Sequence, residues 1–345
     1  MPAHDRSISI AIDAMSGDHG PSVIVPAALD ALNEYPRLSI QLVGDERALR
    51  AVLDDAGSAL RERIEIKAAS EVVAMDESPR HALRSKRDSS MRVAIRQVKT
   101  GAAQACVSAG NTGALMATAH FVLKMLPGID RPAICSAIPT VTGHVYMLDL
   151  GANADCTPEH LLEFAVMGSA LVSAVDGTAE PRIGLLNIGE EEIKGNGRVK
   201  HAAQMLSASG LNYTGYIEGN DITSGKVDVI VSDGFAGNVA IKSIEGTASF
   251  IALMLREEFR RHPIAKLAGL MAWPVLRRLS RRLNPGSYNG ASFLGLRGIV
   301  VKSHGSADRL GFKTAIRAAI LEVDQNVPER ISHMLAETHT PELEA

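Results

Sequence analysis

The chain has 345 residues, 46% hydrophobic, 22% charged and only 4% aromatic, with a formal net charge of −3. That length can bury a substantial core in one large α/β unit or two smaller ones. The slightly acidic balance excludes nucleic-acid binding as a whole-chain property. Cys106, Cys135 and Cys156 are widely spaced with no C-x-x-C pair, so neither a disulfide framework nor a zinc site is indicated and the cytoplasm is the natural compartment. Residues 1–6 are a polar lead, and no unbroken run of about eighteen apolar residues follows. On that ground an integral membrane protein is excluded.

Residues 7–12 read as a first strand that runs into Asp13-Ala14-Met15-Ser16-Gly17-Asp18-His19-Gly20-Pro21, a polar turn closed by a proline at a helix start. Asp13, Asp18 and His19 lack calcium-loop spacing, and one histidine is too few for zinc, so they are expected to hold the turn and orient a substrate, with no metal. Strands at 38–43 and 64–68, with a helix at 48–56 between them, continue a β-α-β-α alternation that predicts a doubly wound, mostly parallel sheet. Arg80, Arg84, Arg92 and Arg96, with Lys86 and Arg87, recur at helical spacing. That face is either solvated or a landing surface for an acidic partner.

An apolar run at 105–107 then opens into Val107-Ser108-Ala109-Gly110-Asn111-Thr112-Gly113 and a helix at 114–125. Strands at 134–139 and 145–150 follow, the second ending in Asp149-Leu150-Gly151-Ala152-Asn153, before a helix at 158–174. The strand at 183–188 leads to a glycine-flanked loop that sets Lys194 behind Glu190, Glu191 and Glu192, which would fix its position. Glu218-Gly219-Asn220-Asp221 is a further strand end. Residues 227–231 then run into Val231-Ser232-Asp233-Gly234-Phe235-Ala236-Gly237-Asn238, with a helix beginning near Asn238. The two V-S-x-G-x-x-G turns suggest two anion-facing helix starts at the carboxyl edge of one sheet. Neither has the first glycine of a dinucleotide fingerprint, which argues against a nicotinamide site.

Residues 247–285 break the alternation. Their apolar tip, including Leu270 and Trp273, is edged by Arg260, Arg261, Arg277 and Arg278. Such a segment either lies in a membrane interface or packs as a helical hairpin on another subunit. A strand at 298–302 ends in Ser303-His304-Gly305-Ser306, and a helical stretch at 313–335 closes the chain before a polar tail.

These blocks resemble the PlsX family of phosphate acyltransferases nearly end to end. The blocks that carry the likeness are Asp13 to Asp18, Lys86 to Ser90, Ser108 to Leu115, Asp149 to Asn153, Asn187-Ile188-Gly189 with Lys194-Gly195, Glu218 to Asp221, Ser232 to Phe235, Gly237-Asn238 and Lys302 to Ser306. The resemblance implies a Rossmann-like α/β/α sandwich over residues 1–345 with a protruding helical hairpin, a homodimer, peripheral membrane association and no cofactor. It implies acyl transfer from acyl-[acyl-carrier protein] (acyl-ACP) to inorganic phosphate, feeding an acyl-phosphate:glycerol-3-phosphate acyltransferase. Phosphate is itself a nucleophile, so the site must hold it, aim it and stabilise an oxyanion. Gly110, Asn111, Gly113, Gly234, Gly237 and Asn238 are expected to cradle phosphate, and Lys194 to neutralise it. His19, His304 and Asp233 are the candidates for proton handling. Asp13, Gly17, Asp18, Lys86, Ser108, Asn153, Asn187 and Asn220 complete the expected substrate site, while Arg80, Arg84, Arg87 and Arg92 would contact ACP and Leu270, Trp273, Arg277 and Arg278 the membrane. The rival readings are a coenzyme A-dependent phosphate acyltransferase of related fold, a nicotinamide-dependent dehydrogenase and a membrane-recruited scaffold for lipid enzymes.

Overall fold

Short runs rich in Ile, Val, Leu and Ala form the strands. The computed structural model describes residues 7–54, 57–283 and 285–338, so the polar lead and the tail after Thr338 lie outside the described residues. In chain order the elements are β1 (Ile8–Asp13), α1 (Pro21–Glu34), β2 (Leu38–Gly44), α2 (Glu46–Leu53), α3 (Ser58–Arg61), β3 (Ile64–Ala68), α4 (Pro79–Ser85), α5 (Ser90–Lys99), β4 (Ala105–Ser108) and α6 (Thr112–Leu123). They continue with β5 (Ala133–Pro139), β6 (His144–Leu148), α7 (Pro158–Val175), β7 (Ile183–Leu186), α8 (Gly197–Ala208), β8 (Tyr213–Ile217), β9 (Val229–Val231), α9 (Gly234–Arg261), α10 (Pro263–Leu283), β10 (Ala291–Leu294), β11 (Ile299–Lys302), α11 (Arg309–Asp324) and α12 (Val327–Thr338).

The strands form one eleven-stranded sheet in the order β3-β2-β1-β4-β11-β10-β5-β6-β9-β7-β8. Each end of it is parallel: β3, β2, β1, β4 and β11 on one side, β6, β9, β7 and β8 on the other. Between them β10 pairs antiparallel with both β11 and β5, and β5 antiparallel with β6. Three reversals leave the two parallel halves running in opposite directions. The two V-S-x-G turns, after β4 and β9, therefore do not end on one strand edge as the sequence suggested. The two reversals at β10 cancel, and the net reversal comes from β5 and β6, which are joined by a short turn and pair antiparallel.

One face of the sheet carries a continuous apolar core spanning both halves, covered by α5, α6 and the base of α9, with Leu115, Phe293, Met147 and Ile230 among its residues. The other face carries two cores, one under α1, α2 and α11 and one under α7, α8 and α12. The expected closing helix is two helices, α11 and α12, separated at Asn326, whose φ of 50° lies in the left-handed region.

Helix α9 departs most from expectation. Asp233 caps it, so it begins at Gly234 and runs 28 residues without a break into the first arm of the hairpin, where separate helices starting near 238 and 247 were expected. Its base is docked on the sheet through Ala240, Ile241 and Ile244. Farther out, Phe250, Leu253, Leu270, Met271 and Trp273 are exposed. By length and composition α9 is the one described helix long and apolar enough to cross a membrane. Polar residues such as Lys242 and Glu245 interrupt its apolar run, so no unbroken run marks it in the sequence.

Where the two back-face cores meet, Glu322 of α11 is fully buried and accepts the hydroxyl hydrogen of Ser292 from β10. Burial raises its carboxyl to about 7, with the Ser292 bond opposing the shift. The folded state therefore holds this proton more tightly than the unfolded chain. The resulting stability is fully present below the ordinary carboxyl range and lost as pH rises through about 7. Glu322→Gln should raise the Tm at pH 8, by a free energy on the order of 3 kcal/mol, and leave it nearly unchanged at pH 4.5. Thermal melts at the two pH values check this, and an equal shift at both would contradict it.

Candidate active site

β1, β4 and β11 are neighbours in parallel register, with Asp13 opposite Ser108 and Ser108 opposite Lys302. The three side chains stand in a row across one carboxyl edge. After β1 the chain turns to α1 on the back face, after β4 to α6 on the front face, and after β11 to α11 on the back again. Adjacent strands whose helices leave on opposite faces open a crevice at their carboxyl ends, the usual ligand position in such sheets.

Asp13 lies at the bottom of this crevice, 1% exposed. Ser108 Oγ donates to its Oδ2 at 2.7 Å, and Ser16 Oγ donates to its backbone oxygen at 2.9 Å. Burial pushes the Asp13 carboxyl up, against the pull of Ser108, Ser90 and Ser16. The turn above is tied together by its backbone: Ala109 N–H donates to Ser16 Oγ, Gly110 N–H to Ser108 Oγ and Asp18 N–H to the Gly305 carbonyl. Gly17, with a φ of 74°, is the contact point of the three turns, since a Cβ there would lie 2.9 Å from both Ala109 Cβ and Gly305 O. Asn111 caps α6, its Oδ1 accepting from Ala114 N–H while its Nδ2 donates to the Met75 carbonyl. Thr112 and Gly113 at the start of α6 are exposed, and their N–H groups have no partner among the described residues. His304 sits on the rim, its Nδ1 2.9 Å from Ser306 Oγ and its N–H held by Asn289. His19 is exposed in the turn after β1.

This crevice thus gathers Asp13, Gly17, Asp18, His19, Ser108, Gly110, Asn111, Gly113 and His304. It also contains Lys302, which the sequence places in a family block but to which it assigns no role, because it reads as the last residue of a strand. Lys302 is 8% exposed, and Nζ donates to the carbonyls of Ala109 (3.4 Å) and Ser303. Burial brings its ammonium down to about 8. Asp13 and Asp18 pull the other way, while Lys242 of α9 adds slightly to the lowering.

The other half of the sheet has its own switch point, since α7 and α8 cover the back face and α9 the front. Asp149, after β6, is fully buried and accepts from the N–H groups of Ile134, Gly151, Ala152 and Asn153. Asn153 gives its side-chain amide to Pro132 O and Asp149 Oδ2, so that amide is spent on the fold and is not free for a substrate. The Gly234 N–H goes to the Asn153 carbonyl, and the Ala236 N–H to Asp233 Oδ1. Gly234 and Gly237 are thus close-approach residues inside the first turn of α9 rather than an open cradle. A Cβ on Gly237 would be 1.9 Å from the Asp149 carbonyl oxygen, and one on Gly234 2.6 Å from that of Asn153. Asp233 also pairs with Arg198 at 3.1 Å, which leaves it little freedom to move a proton. Asn238 is exposed one turn farther on, beside Gly151.

Asn187 is buried after β7 and donates to the Gly189 carbonyl. Lys194 is exposed without an ion-pair partner among the described residues; Glu190, expected to steady it, pairs instead with Lys226, which also holds Asp221. Asn220 is exposed at the end of β8, the edge strand. Arg92 is turned inward, Nη1 donating to the Leu83 carbonyl and the guanidinium stacked 5.5 Å over Phe121, so it braces α5 against α4 rather than meeting a partner. Arg80, Arg84 and Arg87 are exposed and Lys86 half-buried.

The family described as "Fatty acid synthesis protein" matches residues 8–330. A protein named "Phosphate acyltransferase" from Alkalilimnicola ehrlichii is 59% identical over 97% of this chain and 99% of its own length, and one of the same name from Methylococcus capsulatus is 57% identical over 95% and 97%. The chain belongs to the phosphate acyltransferase family. It is accordingly an acyltransferase of lipid biosynthesis that moves an acyl group to phosphate. Among solved structures, a phosphotransacetylase from Streptococcus pyogenes superposes with a TM-score of 0.63 at 16% identity, covering 92% of this chain and 94% of that one. A branched-chain phosphotransacylase from Enterococcus faecalis gives 0.58 at 15%, covering 92% and 99%. These two likenesses concern the fold, the doubly wound α/β class read from the sequence.

The glycines make the first test of this family site. Gly237→Ala should cost ~3 kcal/mol or more through its collision with backbone. Gly246→Ala, in the same helix with nothing within 4 Å, should stabilise by up to ~1 kcal/mol. Urea unfolding of both variants measures the contrast, and equal midpoints would contradict the close approach.

Proposed function

We propose that the acyl donor is acyl-ACP and that the reaction yields acyl phosphate and free ACP, an early step of bacterial phospholipid synthesis. The observation that carries this reading is a basic surface beside the crevice. Arg80 and Arg84 are exposed on α4, Arg87 follows, and α4 is seated on the start of α6, where a Cβ on Gly113 would lie 2.8 Å from Pro79 Cγ. Acyl-carrier proteins are acidic, and such a surface steers and orients an acidic partner. It stands next to the open N–H groups of α6, as docking of a carrier that delivers a thioester there requires.

In the proposed mechanism an oxygen of hydrogen phosphate attacks the thioester carbonyl, the C–O bond forms, and the C–S bond breaks with its electron pair leaving on sulfur. The proton that phosphate carried ends on the thiolate. No acyl-enzyme forms. In support, Cys106, Cys135 and Cys156 are buried with thiols pushed up, and Ser108 is buried with its hydrogen given to Asp13. Gly113 and Thr112 N–H groups at the α6 start are the oxyanion and phosphate donors in this scheme.

The proposal extends to a homodimer and to peripheral association with the inner face of the cell membrane through the hairpin. Its support is the exposed apolar row of Leu270, Met271, Trp273 and Val275 with exposed Arg277 and Arg278 beside it. An acyl phosphate released there would be consumed by an acyl-phosphate:glycerol-3-phosphate acyltransferase.

Purified protein should release the ACP thiol from palmitoyl-ACP only when inorganic phosphate is present, with matching acyl phosphate. Release without phosphate would make it a thioesterase, activity only on acyl-coenzyme A would replace the donor, and no release would favour a scaffold. Arg84→Glu with Arg87→Glu should raise the KM for palmitoyl-ACP at least ~10-fold, ~1.4 kcal/mol of lost docking, and spare a small thioester. In flotation assays the protein should bind anionic vesicles in a salt-sensitive way that Trp273→Glu abolishes. Wild type that fails to float would leave the hairpin to subunit packing.

A further inference from the structure

We propose that Lys302 is the cation that binds the phosphate nucleophile, in place of Lys194. It rests on the family's transfer of an acyl group to phosphate, whichever thioester is the donor. Three observations converge on it. First, β1, β4 and β11 carry Asp13, Ser108 and Lys302 in one register row at the switch-point crevice, which fixes the lysine by strand pairing. Lys194, by contrast, stands on an exposed loop of the other half, with no ion-pair or hydrogen-bond partner for its ammonium among the described residues.

Second, an ammonium has three hydrogens, and Lys302 Nζ gives two of them, to the carbonyls of Ala109 and Ser303. Those carbonyls belong to the turns that follow β4 and β11, so Nζ is held between the two turns that frame the start of α6. The third hydrogen has no acceptor among the described residues, although the residue is more than nine-tenths buried. A buried ammonium with a spare donor beside unpaired helix N–H groups is short of an anion.

Third, the charges around it do not close. The charged groups that act on Lys302 are Asp13 at the end of β1, Asp18 in the turn above it and, most weakly, Lys242 on α9. Asp13 Oδ2 accepts from Ser108, its Oδ1 is buried without a hydrogen-bond partner among the described residues, and no ion pair joins the carboxylate to Lys302. Lys242 adds a weak repulsion, since its ammonium is largely exposed and paired with Glu245 at 2.8 Å. A phosphate dianion arriving at a buried ammonium that no carboxylate pairs with would stabilise the charged form.

The chemistry balances with Lys302 remaining protonated throughout. It donates to phosphate oxygen, takes up none of the transferred proton and holds the nucleophile against the α6 start. Near its depressed value it loses its charge as pH rises, so phosphate affinity should fall above pH about 8.

The test is phosphate binding measured directly by thermal shift, alongside kinetics. Inorganic phosphate should raise the Tm of the wild type. Lys302→Met should fold with a Tm at least equal to the wild type's, since it removes a buried charge, yet show no phosphate shift and a phosphate KM raised 10-fold or more with the donor KM within twofold. A lysine with a merely structural role would lower the Tm and leave the phosphate KM alone. Lys302→Arg, which holds its charge, should keep its phosphate shift at pH 9, where the wild type has lost most of it. A full phosphate shift in Lys302→Met overturns the proposal. So does a shift lost in Lys194→Met while retained in Lys302→Met, which would put the anion in the other half. Because the readout is phosphate binding, it is independent of which thioester proves to be the donor.

Discussion

The antiparallel pairings of β10 and β5 constrain everything else in the molecule. Without them the sheet would be two parallel βα units with nothing to orient one against the other. With them, hydrogen bonds run unbroken across all the strands, and the halves are locked head to tail. Each half keeps its own switch point, where one helix leaves on the front and its neighbours on the back. One continuous front core joins α5 and α6 to the base of α9, so the two crevices are held by shared packing as well as by the ladder.

Helix α9 follows from this arrangement. It starts at one crevice and crosses the front face before continuing into the hairpin. Its base tolerates no side chain at two positions, because Gly234 and Gly237 touch the backbone after β6. Farther out it packs against α10, where Gly269 meets Phe259, and apolar side chains away from that contact meet solvent. The helix is thus rigidly seated at its N-terminus, while the hairpin it forms with α10 leaves its outer surface uncovered. A surface of that kind needs an occupant, whether a second subunit or a lipid interface.

Much of this was legible in the sequence, and the remainder was missed for identifiable reasons. The strands at 8–13, 38–44 and 64–68 are short β-branched runs between turns, and they were found within a residue or two. The match V-S-x-G-x-x-G was real as sequence but not as geometry. After β4 the cap is Asn111, one residue beyond the first glycine; after β9 it is Asp233, one residue before it. A two-residue shift turns an exposed helix start into one whose glycines are consumed in packing. The reversal of the halves was legible only in the short connection between β5 and β6, which rules out a parallel crossover, while β10, four residues long with partners far apart in sequence, left no local period. Arg92 shared its spacing with Arg84, yet spacing cannot say that one guanidinium lies over a phenyl ring while the other faces solvent.

Lys302 shows why a site of this kind is hard to see from sequence and natural in three dimensions. An enzyme whose nucleophile is dissolved phosphate needs no activated side chain, only a place where a dianion is better solvated than in water. Water is a strong competitor for phosphate, and an exposed lysine offers little beyond what bulk solvent supplies. A buried lysine costs the free enzyme stability, and that same desolvation strengthens its attraction for an arriving anion. The seat comes from β11, whose last residue must point into the crevice by the alternation of the strand, and from two carbonyls that hold Nζ in place. Stability given up at the strand end is recovered when phosphate binds, which places the chemistry on a strand end fixed by the sheet and leaves the exposed, charged loops to recognition.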